Sequence, residues 1–123
     1  MYKLLLVLFA AILAHVVALL IFVSIIDLYS VKPLDVSTVK FIARASHNTI
    51  IVVEDHYPQG GIAEAVRSAL AQDLSAEALA KEEKQIKIHS LAVNKLPRSG
   101  KPEELLAFCG IDAAAIVELV NSL

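Results

Sequence analysis

Three side chains that could exchange protons follow one another at the end of an apolar segment. Glu54, Asp55 and His56 lie at the end of the run 49–54, TIIVVE, and two carboxylates beside an imidazole suit general acid and base catalysis. The carboxyl ends of strands are also where α/β proteins bind ligands. Consecutive residues point in different directions, however, and no motif links these residues to a serine or cysteine nucleophile. We favour hydrogen bonding within the loop or at a subunit contact, with catalysis as the alternative.

Two further segments have residues that could bind an anion. Gly60 and Gly61 precede a predicted helix, whose N–H groups could face a phosphate, although the spacing is neither G-x-G-x-x-G nor a Walker A motif. The favoured interpretation is a tight turn that needs positive φ or close packing. The run 98–101, RSGK, offers two cations and a hydroxyl, but the glycine that a P-loop requires five positions before Gly100 is absent. We interpret it as a structural or interface loop.

Composition and spacing argue against two classes of partner. The four histidines and Cys109 show no metal-ligand spacing, so no metal site is predicted. The formal net charge is −2 and the cations are scattered, whereas a nucleic-acid partner would require a basic face. We therefore expect no nucleic-acid binding.

Hydrophobic periodicity predicts alternating strands and helices. In chain order these are a helix over 36–46, a strand over 49–54, a helix from 61, a strand over 86–93, and helices starting near 102 and 113. A strand within 21–28 precedes them in one of two competing interpretations of the apolar N-terminal run. Asp35 and Asp112 have the position of N-caps, and Gly110 that of a helix end. The order predicts an α/β domain in which helices cover a small, mainly parallel sheet.

Three blocks in this order resemble the C-terminal domain of transketolase, the thiamine-diphosphate enzyme of the pentose phosphate pathway. They are IDLYSVKPLD at 26–35, VVEDHYPQGGIAEAV at 52–66 and LAVNKLPRSGKPEELLAFCGID at 91–112. The resemblance covers roughly residues 21–123 and implies a three-layer αβα fold. The family-motif positions, which it makes structural or interface residues, are Glu54, Asp55, His56, Gly60, Gly61, Asn94, Pro97, Arg98, Ser99 and Gly100.

The resemblance also implies where the chemistry of the family is done. In transketolases the thiamine diphosphate, the divalent metal and the activating glutamate lie in the two preceding domains, whose metal-diphosphate signature is absent here. We therefore predict no catalytic, cofactor-binding or metal-binding residue in this chain. The implied partner is a second copy, giving a homo-oligomer, or a transketolase-like chain, and the implied location is cytoplasmic. The alternative function is a membrane-anchored, non-enzymatic α/β interaction module.

An uncharged apolar run precedes these blocks. Residues 4–26 contain no charged side chain, and as a helix they would span about 34 Å, enough to cross a bilayer core of about 30 Å. The sequence thus predicts an apolar helix and membrane anchor over 1–26, with the domain at 27–123 on the cytoplasmic side. In the competing interpretation the last third of the run is the buried strand of the family sheet.

Overall fold

The computed structural model describes residues 23–72, 85–96 and 98–123. The helices and strands are α1 (Val36–Ala45), β1 (Thr49–Val53), α2 (Ile62–Gln72), β2 (Lys87–Leu91), α3 (Pro102–Cys109) and α4 (Ala113–Ser122). Helices and a small parallel sheet form an α/β domain of the predicted class, a small αβα domain. The predicted helices and strands after residue 35 are each present.

The segment before α1 differs from the prediction. Residues 23–30 belong to no helix or strand, so neither the predicted strand over 21–28 nor a helix continuing to residue 26 forms in this part. A local backbone hydrogen bond joins Tyr29 N–H to Asp27 O at 3.0 Å, and Tyr29 is fully exposed. β-branched sequence favours a strand only where neighbours pack against it. The rest of the apolar run, residues 4–22, lies outside the described residues, and its anchor role stays a prediction.

The two strands pair in parallel and bring both family-motif loops together. Ile50 lies opposite Ile88 in the ladder. Two backbone bonds extend the pairing past the strand ends: Glu54 N–H donates to Leu91 O at 3.0 Å, and Val93 N–H donates to His56 O at 2.9 Å. Because α2 is the described helix between these parallel strands, its N-terminus starts at the same edge of the sheet where β1 ends.

The core lies between one face of the sheet and two helices. Val39 of α1 and Val66 and Leu70 of α2 form the buried cluster, and Ile50 and Ile88 of the strands pack against it. These strand residues alternate with the ones on the opposite face. The hydrophobic packing of α1 and α2 therefore fixes where α2 begins relative to the end of β1.

Aspartate side chains begin two of the helices, as the sequence predicts. The Asp35 carboxylate accepts the Thr38 N–H at 3.0 Å and the Ser37 and Thr38 hydroxyls at 2.6 and 2.7 Å. These bonds, the Ser37 hydroxyl first, lower the pKa of Asp35 from 3.8 to about 2. Asp112 accepts the Ala115 N–H at 3.0 Å at the start of α4.

A left-handed glycine separates α3 from α4. Gly110 has φ of +70°, and the N–H groups of Gly110 and Ile111 donate to Ala107 O and Leu106 O at 3.1 Å each, which is a Schellman ending. Within the described part, the stretch Pro102–Ser122 is apolar enough and long enough to cross a membrane by length and composition alone. It consists of helices of 8 and 10 residues, and each is too short to span a hydrocarbon core of about 30 Å.

Candidate functional site

An open cleft lies at the carboxyl end of β1. Its volume is about 520 Å³. The apolar wall is formed by Val31, Val53, Ile62, Leu106 and Ile111, and the polar part by Glu54, Asp55, His56, Gly60 and Gly61. We call this the strand-end cleft. Five of the family-motif positions line it, namely Glu54, Asp55, His56, Gly60 and Gly61, together with Leu106 of α3 and Ile111 just after that helix.

Glu54 is a buried carboxylate that caps α2 from outside the helix. Its side chain is 5% exposed. Oε2 accepts the Ile62 N–H at 2.5 Å, and Oε1 accepts the Ala63 N–H at 3.3 Å. A buried charge is tolerated only where hydrogen bonds compensate it, and the positive end of the helix dipole adds to that compensation. Glycine at position 61 offers no side chain to cap the helix, and the strand before it supplies the carboxylate instead.

The two glycines are required for different reasons. Gly60 has φ of +73° and open space around its Cβ position, so only the backbone conformation favours glycine there. A Cβ on Gly61 would lie 2.7 Å from Glu54 Cδ and 2.8 Å from Oε1, and closer still to Oε2. The positive φ and the close packing that the sequence suggested as alternatives therefore both occur, one at each glycine.

Asp55 and His56 are exposed to solvent, whereas Glu54 is buried. The Nδ1 atom of His56 lies 2.7 Å from Tyr57 O, and a carbonyl can only accept, so Nδ1 carries the proton. Glu54 is committed to two backbone N–H groups. The three adjacent residues thus do not share a proton-transfer geometry in this structure.

The second family motif folds onto the end of α3. The Arg98 guanidinium carbon lies 3.9 Å from the centre of the Phe108 ring and Lys95 Nζ lies 4.8 Å from it. Lys95 also donates to Phe108 O at 2.5 Å. Both cations are therefore used to hold the loop against α3. Asn94, Ser99 and Gly100 are exposed, and Pro97 lies outside the described residues.

Sequence reasoning did not identify the contribution of Lys95 and Phe108. They are 13 positions apart, and no local spacing indicates that a loop lysine will cap a helix further along the chain. Two buried side-chain atoms on β2, His89 Nε2 and Ser90 Oγ, have no hydrogen-bond partner among the described residues. No sequence pattern indicates these two buried atoms.

The strand-end cleft does not suit thiamine diphosphate or its metal. Among residues 23–72, 85–96 and 98–123, no group of three His, Cys, Asp or Glu side chains could hold a metal ion. A divalent cation that binds a diphosphate takes several oxygen ligands. The helix N–H donors that could receive a phosphate are already bonded to Glu54. We therefore derive no cofactor chemistry from this cleft.

Comparison with known proteins gives a family match across most of the chain. The family described as "Transketolase, C-terminal domain" matches residues 10–116. The chain belongs to this family. It is 48% identical over 101 residues to transketolase-like protein 1 of Macaca fascicularis, covering 82% of this chain and 15% of that protein. It is 45% identical to transketolase-like protein 2 of Mus musculus and 44% identical to transketolase of Homo sapiens, each over 101 residues and 82% of this chain, covering 14% and 15% of those proteins.

The match with the transketolase C-terminal domain differs from the resemblance in where it starts, and it covers only a small part of the relatives' length. It begins at residue 10, inside the apolar run, whereas the sequence blocks placed the start of the resemblance near residue 21. The family match therefore begins about 11 residues closer to the N-terminus than the resemblance did. The chain spans about 15% of the length of these relatives, so the activity of a whole transketolase does not follow from the match.

Proposed function

We propose that this chain supplies the C-terminal, non-catalytic domain of a transketolase-type enzyme. The observation that supports this most is the family match over residues 10–116. The described side chains are in keeping with it, because the buried carboxylate of the cleft stabilises a helix. Outside the cleft, Lys95 and Arg98 pack on the Phe108 ring. In this proposal the two-carbon ketol transfer takes place on thiamine diphosphate and a divalent metal held by the preceding domains of the enzyme.

Calorimetry tests whether this chain binds the cofactor. The purified chain is titrated with thiamine diphosphate in the presence of magnesium, and a full-length transketolase serves as the positive control. We expect no heat of binding from the chain, because the described residues include no cluster of three metal-ligating side chains and the α2 N-terminus is occupied by Glu54. Saturable binding at micromolar concentration and a defined stoichiometry would overturn the proposal.

We further propose a protein partner, either a second copy or a transketolase-like chain that carries the cofactor domains. The exposed apolar surface of the last two helices supports this. Leu106, Val117 and Leu123 are 41%, 58% and 60% exposed, and no residue of α3 or α4 is buried. Extended exposed apolar surface of this kind commonly marks an interaction site. We also propose a cytoplasmic location, which the membership of the transketolase C-terminal domain family supports.

Charge substitution tests the interaction surface. Val117→Glu places a carboxylate in the exposed apolar surface of α4, and Gln72→Glu is the matched control at the exposed end of α2. We expect Val117→Glu to abolish self-association or co-elution with a transketolase-like chain in size-exclusion chromatography with light scattering. If both variants associate equally, the exposed apolar surface of α4 is not the interface.

A further inference from the structure

The N-terminus of α2 is occupied by a carboxylate of the protein itself, that of Glu54. Phosphates and carboxylates of ligands bind helix N-termini through the first free N–H groups and the positive end of the helix dipole. Here those groups, the N–H of Ile62 and Ala63, are bonded by Glu54 at 2.5 and 3.3 Å. Glu54 therefore has the position and the partners of a bound carboxylate ligand.

The surroundings of Glu54 form a cradle of matching size. Gly61 leaves free the space that a Cβ would take, and the Glu54 carboxylate fills that space. On the other side the carboxylate borders the strand-end cleft, which opens to solvent and is also lined by Gly60 and Asp55. A small anion could thus reach the α2 N-terminus from the cleft if Glu54 did not occupy it.

We propose that Glu54 is an internal ligand that closes the α2 N-terminus to external anions. The native strand-end cleft then rejects phosphate and carboxylate groups, for two reasons. The N–H donors that would bind them are used, and the carboxylates of Glu54 and Asp55 repel a further negative charge. This exclusion does not depend on the proposed enzyme partner, because it rests on residues 54–63 of this chain alone.

Chemical rescue tests the proposal on the full chain. Glu54→Ala removes the carboxylate and leaves the two N–H groups without their acceptor. Sodium formate, which carries the same carboxylate group, then replaces sodium chloride at constant ionic strength. We expect the melting temperature of Glu54→Ala to rise with the logarithm of the formate concentration, with a gain of about 4 °C where formate exceeds its dissociation constant about fivefold. Wild type and Glu54→Gln should show no such gain, since a carboxylate or an amide still fills the cradle.

A second measurement locates the anion. In Glu54→Ala the amide proton resonances of Ile62 and Ala63 should shift with formate, and inorganic phosphate serves as a larger probe of the same site. If Glu54→Ala does not fold in chloride, the yield of folded protein in formate against chloride replaces the melting temperature. The proposal is overturned if neither anion favours folded Glu54→Ala over wild type, if the wild type gains as much, or if the two amide resonances do not move.

Discussion

Replacing Gly61 by alanine should destabilise the protein because of a single side chain seven residues earlier in the chain, that of Glu54. The added Cβ would lie within 3 Å of three carboxylate atoms, a distance at which the carboxylate must move. It cannot move and keep both of its bonds, to the Ile62 and Ala63 N–H groups. The helix would then lose its cap, and a buried charge would lose its donors.

The size of the effect follows from those two bonds. A hydrogen bond to a charged group contributes about 1.5–3 kcal/mol, and the longer bond to Ala63 contributes the smaller share. We expect Gly61→Ala to lower the free energy of unfolding by about 2–4 kcal/mol. Gly60→Ala is the matched control: its Cβ meets no atom within 4 Å, so it should cost only the about 1–2 kcal/mol of a left-handed backbone conformation.

Urea denaturation in a double-mutant cycle separates the overlap from other effects of alanine. In a Glu54→Ala background the Cβ at position 61 no longer meets a carboxylate. Gly61→Ala should then cost less than about 1 kcal/mol, which is the ordinary preference for glycine over alanine at an N-cap. A cost in both backgrounds that agrees within about 0.5 kcal/mol would refute the reasoning, because it would show no coupling between the two positions.

Three further predictions concern other parts of the chain. Gly110→Ala should cost about 1–2 kcal/mol in urea melts through its backbone conformation alone, since its Cβ meets nothing within 4 Å; an unchanged midpoint would contradict the left-handed ending of α3. Asp35→Ala should lower the urea midpoint at neutral pH. The folded state lowers the pKa of Asp35 from 3.8 to about 2, so this contribution is present above 3.8 and is lost as the pH falls towards 2; a difference between wild type and variant that stays constant over that range would contradict it. If residues 4–26 anchor the chain, the full chain should float with lipid vesicles on a density gradient and a version lacking residues 1–20 should not; equal behaviour of the two would exclude an anchor.

Local signals were sufficient to predict most of the helices and their ends. Asp35 and Asp112 act as N-caps through bonds to backbone N–H groups three residues further on, and Gly110 ends α3 with positive φ. Such contacts depend on neighbours in the sequence. The first predicted strand failed because a strand requires a partner that β-branched residues alone cannot specify.

The candidate site was predictable only in its residues and not in their contacts. Glu54 and Gly61 were identified from the sequence as family-motif positions. The hydrogen bonds between Glu54 and the start of α2, however, depend on how β1 and α2 pack. The placement of Arg98 on Phe108 likewise depends on a loop that folds back on a later helix. Contacts of this kind arise from tertiary structure, which composition and periodicity do not encode directly.

Reconstitution of ketol transfer most directly tests the claim that this chain is a non-catalytic transketolase-type domain. A human transketolase shortened to end before its C-terminal domain is assayed alone, with this chain, and with the Val117→Glu variant, always with thiamine diphosphate and magnesium. We expect no transfer by this chain alone, and a gain in activity when the wild-type chain, but not the variant, is added to the shortened enzyme. Ketol transfer by this chain alone would contradict the claim.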